Sequence, residues 1–284
     1  MYLENRHKTH LLPLLLILAF IAGFYPALEL FAEKWMESDD YTHAFFTVPI
    51  IGYMLWQRQD FFKSSKGNLL FGIPLTLLSL LLYYVSLELQ VPTIIFLATI
   101  ITILTIFICL TGFRFLIRFF IPVILLFLLI PIPNQLMSML TATLQLKVSV
   151  VSEFVIRLFN VPIFRDGNVL NIPGKTFLVA EACSGIRSLI SMTTLSLLLG
   201  YFTLNKNWTR ALLFFFSIPV AIIINIFRVV TLVLAYYFFT IDLTTDTPHT
   251  LLGLVVFALG LALLFIFQRI LEWLETRKQK HISF

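Results

Sequence analysis

Charge is what this 284-residue sequence has least of. Only 12% of its residues are Asp, Glu, Lys or Arg, about half the share found in soluble domains. So few charges cannot cover a water-soluble globule of this size. That excludes a cytosolic enzyme, a nucleic-acid-binding module and a disordered chain. Cysteine is also scarce, with two residues, Cys109 and Cys183, and no repeated spacing from which to build a metal cage. Cys109 lies inside an apolar run with no polar neighbour and reads as a packing residue, so a disulfide between the two is not expected. Neither an internal repeat nor a low-complexity segment is visible. What is present in abundance is hydrophobic sequence, at 59% of residues and a mean hydropathy of +0.95. The solvent of this chain is a lipid bilayer.

A helical span needs about 20 apolar residues. Candidate spans are Leu11–Phe31, Ala44–Trp56, Leu69–Leu87, Thr93–Leu110, Phe115–Ile130, Ile186–Leu204, Ala211–Phe239 and Leu251–Phe267. The expectation is therefore an all-α polytopic membrane protein of about eight transmembrane helices, forming a single domain over residues 1–284. The first run is too long for a signal-peptide core and no small-x-small cleavage site follows it, so it reads as a retained anchor.

Charge placement orients the spans. With the N-terminus inside, the inner segments hold Arg6, Lys8, Arg58, Lys63, Lys66, Arg114, Arg118, Lys206, Arg210, Arg269, Arg277, Lys278 and Lys280, most of the 20 cations. The outer segments Glu33–His43 and Thr240–Pro248 are acidic, with Lys34 as their one cation. By the positive-inside rule both termini are cytoplasmic. The net charge of +5 thus reflects membrane orientation, with no nucleic acid implied.

The stretch 131–185 breaks the pattern and reads as an outward-facing cap inserted between the fifth and sixth spans. Gln135 to Phe159 has apolar residues at helical spacing with Lys147, Glu153 and Arg157 among them, an amphipathic helix at the interface. Asp166-Gly167 between two short β-prone runs signals a hairpin. A further extended run, Thr176 to Ala180, leads straight to Cys183.

Chemistry concentrates in three places. Cys183 sits where an extended segment turns into a helix through Ser184 and Gly185. Backbone N–H groups at a helix start favour a thiolate and an oxyanion, and Arg187, four residues on, adds a full positive charge on the same face. Arg228 stands near mid-span, at an insertion cost of about 2.5–3.5 kcal/mol. Asn225 three residues before it and Thr231 three after make one polar stripe, suited to a wet cavity or a buried partner. In Asp246-Thr247-Pro248-His249, Thr247 reads as a helix cap with Pro248 in the first turn. His249 then opens the last span as a candidate general base, with Asp246 or Asp242 to orient it. The topology turns all three places toward the outer side, giving the composition of a thiol acyl-transfer site. Asp39 to Pro49, which contains His43, begins the second span on the same side and reads either as part of the pocket's mouth or as an acidic interfacial loop.

With these residues in view, the sequence resembles the exosortase/archaeosortase family of integral-membrane cysteine transpeptidases, over nearly the whole chain. The likeness rests on Ala180-Glu181-Ala182-Cys183-Ser184-Gly185-Ile186-Arg187-Ser188-Leu189, on Asn225-Ile226-Phe227-Arg228, on His249, and on Asp40-Tyr41-Thr42-His43, where the family's histidine–glycine pair reads His43-Ala44. The resemblance implies catalysis by Cys183, Arg228 and His249, with Arg187, Glu181, Ser184, Asn225, His43 and Asp246 as binding or supporting residues. It implies no metal and no cofactor. The substrates it implies are exported proteins ending in a sorting motif (Pro-Glu-Pro in the bacterial form), a transmembrane helix and a basic tail, processed through a thioester on Cys183 at the outer face of the bacterial inner membrane. A small-solute transporter, or a structural partner for surface polysaccharide export, is the alternative. The first would need repeats or a pair of broken helices. The second would need no reactive thiol.

Overall fold

The computed structural model describes residues 4–37, 41–179 and 185–282, with side chains for all of these except 4–17, 246 and 278–282. It divides into two compact units, residues 1–132 and 133–284. Six helices among the described residues are long and apolar enough to cross a membrane, so the expected count of about eight is not confirmed.

The first unit is helical: α1 (Glu4–Glu37), α2 (Ala44–Trp56), α3 (Gln59–Ser64), α4 (Leu69–Leu89), α5 (Pro92–Thr111), α6 (Arg114–Arg118) and α7 (Phe120–Leu128). Its best-packed pair is α4 and α5, where Gly72 lies so close to Cys109 that a side chain there would stand 2.7 Å from the Cys109 Cα. Small residues give lipid-embedded helices this kind of approach. The Cys109 thiol lies 3.7 Å from the Thr76 hydroxyl, a packing role as expected. Hydroxyls on α5 bond back to its own carbonyls, Thr99 to Ile95 and Thr102 to Ala98 at 2.8 Å each, so they enter an apolar layer already satisfied.

Three expected spans are not among the six: Leu11–Phe31, part of which has no described side chains, and two others for physical reasons. At 13 residues, α2 covers about 20 Å, short of the ~30 Å hydrocarbon core. The run Phe115–Ile130 breaks at Phe119, whose backbone (φ −110°, ψ 31°) is not helical. Pro122 accounts for the break, because a proline ring clashes with the carbonyl four residues earlier, here that of Arg118. Phe115, Phe119, Phe61, Phe62 and Phe107 fill the corner with stacked and edge-on rings.

The second unit contains α8 (Asn134–Arg157), β1 (Phe164–Asp166), β2 (Val169–Ile172), β3 (Lys175–Leu178), α9 (Ile186–Thr203), α10 (Asn207–Phe239) and α11 (Asp246–Ile282). The strands form an antiparallel meander in the order β1-β2-β3. The first turn is Gly167-Asn168, one residue later than the sequence suggested, with Gly167 at φ +59°. Glycine at the first central position is the signature of a type II′ hairpin. The second turn is Pro173-Gly174, with Gly174 at φ +86°, as a type II turn requires.

The meander buries Leu170, Ile172, Phe177 and Val179 against Val148 and Ile156 of α8 and Val229, Val230, Leu232 and Val233 of α10. Polar ties fix its register on α8. Ser149 donates to the Gly167 carbonyl at 3.0 Å, Asn168 donates to Gln145 at 2.9 Å, and Glu153 accepts from Arg157 and Arg165 at 2.6 and 2.9 Å. By length and composition α8 belongs among the six span candidates, where the sequence reading had it lying at the interface.

Helices α9, α10 and α11 pack through glycines. A side chain at Gly200 would touch Arg210, and one at Gly260 would overlap Met192 and Ile224. At the start of α10, Glu275 of α11 is buried and accepts from the backbone N–H of Asn205 and Lys206 at 2.9 Å each and from the Thr209 hydroxyl. Arg210 donates to the last carbonyls of α9, reaching Leu204 O at 2.7 Å. One carboxylate and one guanidinium thereby satisfy backbone groups that a helix start and a helix end leave open.

Candidate functional site

Cys183, Glu181 and Ser184 lie outside the described residues; Gly185, two positions past Cys183, is placed. Gly185 caps α9 with a left-handed backbone (φ +77°), which explains why glycine stands there. It faces Asn225 of α10, since a Cβ added to Gly185 would stand 2.8 Å from the Asn225 Nδ2. Asn225 is buried, at 3% exposure. The start of α9 is thus pressed against the polar stripe expected on α10.

One turn further along that stripe, Arg228 reaches α11. Its Nη2 donates to the His249 carbonyl at 3.2 Å. Its guanidinium lies over Gly253, where an added Cβ would stand 3.1 Å from Nη2 and 3.3 Å from Cζ. The missing side chain at position 253 is what lets an arginine fit between two helices. His249 therefore shares a site with Arg228, and its ring lies within hydrogen-bonding reach of the Leu243 carbonyl. Asn225, Arg228 and His249, with the start of α9, form one polar cluster in the half of α10 nearest the meander. Thr231 does not complete the stripe, because its hydroxyl bonds back to Phe227 O at 2.8 Å.

Two details differ from the sequence reading. The last helix begins at Asp246, and the His249 N–H donates to Thr245 O at 2.9 Å. Thr245 therefore occupies the cap position assigned to Thr247, and Pro248 still falls in the first turn, where a missing N–H costs nothing. Asp242 is engaged elsewhere, paired with Lys175 of β3 at 2.5 Å and accepting from the Thr244 N–H at 2.9 Å. These contacts, the Lys175 ammonium first, hold its carboxyl down at about 2, and the backbone carbonyl of Leu243 stands by the histidine in its stead. Arg187, in the first turn of α9, is exposed. His43 belongs to the other unit, where it precedes α2 and its carbonyl accepts from Thr47 N and Oγ1 at 3.0 and 2.9 Å.

Beside the cluster lies a cavity of about 410 Å³, lined by Lys175 to Val179 on β3, by Val229, Leu232 and Val233 on α10, and by Thr244 and His249. Lys175, Gly253 and the Leu243 carbonyl were not singled out in the sequence. The glycine and the carbonyl carry no signal without the fold, and the lysine's partner lies 67 positions away. Among the described residues no group of His, Cys, Asp and Glu is arranged to hold a metal ion.

These features define the class first: a multi-pass membrane protein with a polar cluster of Asn, Arg and His where three helices and a small sheet meet. Over residues 35–266 the sequence matches the transmembrane exosortase family, and the chain belongs to that family, one of membrane-embedded peptidases and transpeptidases. No curated protein and no solved structure was found to match it.

Proposed function

We propose that the protein is a cysteine transpeptidase that cleaves C-terminal sorting signals of exported proteins. The observation that carries the reading is the double contact of α10, with Asn225 on the start of α9 and Arg228 on the start of α11. It ties the segment that follows Cys183 to the helix that bears His249.

The Cys183 thiol passes its proton to His249, and the thiolate attacks the carbonyl carbon of the scissile peptide bond. The Arg228 guanidinium holds the resulting oxyanion, a planar donor pair that water cannot replace once the site is closed. Collapse breaks the C–N bond. The departing amine takes the proton from His249 and leaves with the membrane helix and basic tail, while the acyl part stays on Cys183 as a thioester. An amine acceptor, or water, then attacks the thioester and restores the thiol. Glu181, Ser184 and Arg187 belong to the segment presenting the thiol, Asn225 supports it, and Asp246 is a further supporting residue.

The protein sits in the bacterial plasma membrane with both termini cytoplasmic and the cluster on the outer face, a reading supported by the inner cations and acidic outer loops of the sequence. Against a transporter, α10 runs unbroken through Pro219 from Asn207 to Phe239, so this proline supplies no broken helix of the kind a transporter uses.

The deciding experiment is Cys183→Ala. Processing of a reporter ending in Pro-Glu-Pro, an apolar helix and a basic tail should stop while the protein accumulates in the membrane as before, and Cys109→Ala should process normally. Normal processing by Cys183→Ala would overturn the assignment.

A further inference from the structure

Five consecutive residues of one strand, Lys175 to Val179, line the same cavity. Successive side chains of a strand point to opposite faces, so a single cavity touches all five only along the strand's edge. The register identifies what that edge offers. Val179 N donates to Asn168 O at 2.9 Å, and the pairing runs Val169 with Leu178, Leu170 with Phe177, Asn171 with Thr176. In an antiparallel ladder alternate residues turn both N–H and C=O toward the partner strand. Phe177 and Val179 therefore face β2, while Thr176 and Leu178 direct their N–H and C=O at the cavity. Across it stand Val229, Leu232 and Val233 of α10, with His249 beside them.

Such a place suits an occupant that supplies backbone donors and acceptors on one side and alternate apolar side chains on the other. A free sheet edge recruits an extended chain for this reason. β3 also runs directly into the segment carrying Cys183, and the salt bridge between Lys175 and Asp242 closes the far end. We propose that the substrate is held as a fourth strand on β3, its backbone paired with Thr176 and Leu178. Every second side chain enters the apolar wall of α10. This rests on the transpeptidase reading and adds how the peptide is recognised, by its main chain more than by side-chain identity.

Binding is measured apart from chemistry. The Cys183→Ala protein is used to co-purify the same reporter from membranes, while processing is followed with the unaltered enzyme. Each of the eight reporter residues that precede its Pro-Glu-Pro motif is replaced singly by proline, which removes one N–H. A strand-held substrate loses retention about tenfold at every second position, since one lost main-chain bond to an ordered partner is worth on the order of a tenfold change, and keeps it at the positions between. Loss without a period of two, or no capture by Cys183→Ala of a reporter that the unaltered enzyme processes, overturns the proposal. A period of two in retention without any processing would support the docking edge and sink the transpeptidase reading. On the enzyme side Leu178→Pro, which removes an outward N–H and leaves the β2 ladder intact, should lower retention while Leu178→Ala does not. Equal retention by both overturns the proposal from that side.

Discussion

The two ends of α10 are built from the same three helices yet treat their polar groups in opposite ways. At its start, Glu275 takes two backbone N–H groups and a hydroxyl, and Arg210 takes the carbonyls that end α9. In its second half, Asn225 and Arg228 press on the starts of α9 and α11, and the sheet edge and His249 face a cavity. The first end uses charge to close a joint. The second sets a sheet edge and His249 beside a cavity, with space for something that is not part of the chain. Buried polar groups that are fully paired stabilise a fold, and cavities lined by a few polar groups are where ligands are held.

Substitutions at each end should therefore fail differently. The largest effect is expected from Arg228→Lys. An ammonium cannot reproduce the planar two-point donor, and loss of one preorganised donor typically lowers a rate by about 10²–10³. Reporter cleavage at matched expression should fall by that much, with little change in the midpoint of thermal unfolding in detergent. A rate within about twofold of the parent would mean that Arg228 only anchors the helix.

Glu275→Ala should do the reverse. It strands two backbone donors at the start of α10, a cost of about 2–3 kcal/mol, and should lower the unfolding midpoint clearly. Cleavage per folded molecule should stay near that of the parent. A matching loss of cleavage would show that the two ends are coupled.

The smallest effect concerns the Lys175–Asp242 bridge. The Asp242 carboxyl is lowered from 3.8 to about 2, so the stability it contributes is fully present above its unfolded value. That contribution is lost as pH falls from near 4 through about 2. Asp242→Asn should thus give a midpoint offset that is constant between pH 5 and 8 and shrinks only below pH 4. An offset that changes between pH 5 and 7 would point to another group.

The sequence made one end more legible than the other. Runs at Leu69–Leu87, Thr93–Leu110 and Ile186–Leu204 correspond closely to α4, α5 and α9, because uninterrupted apolar length is a signal carried by the residues themselves. Phe115–Ile130 misled because the same apolar run concealed Pro122, whose effect on the Arg118 carbonyl is local geometry and not hydropathy. The third strand was visible only as an extended run, since β3 needs β2 to be a strand at all. In the site, Arg228 and Asn225 stood out because polarity inside an apolar span is costly. Gly253 did not, because its significance is the guanidinium that occupies the space it leaves. Asp242 reads in the sequence as one of two aspartates available to the nearby histidine, whereas folding brings it a cation from β3.

The hydrogen bond that joins Arg228 to α11 ends on the backbone carbonyl of His249, not on its imidazole. Any residue at position 249 supplies that carbonyl, so removing the ring does not release the arginine. The ring itself borders the open cavity, and His249→Ala would leave a vacancy there of the ring's own size. Such a site invites chemical complementation. Free imidazole added to the His249→Ala enzyme should restore part of the cleavage in a saturable manner, whereas guanidinium should not restore Arg228→Lys, whose position lies between two helices. Failure of imidazole at any concentration would place the histidine's contribution outside proton transfer.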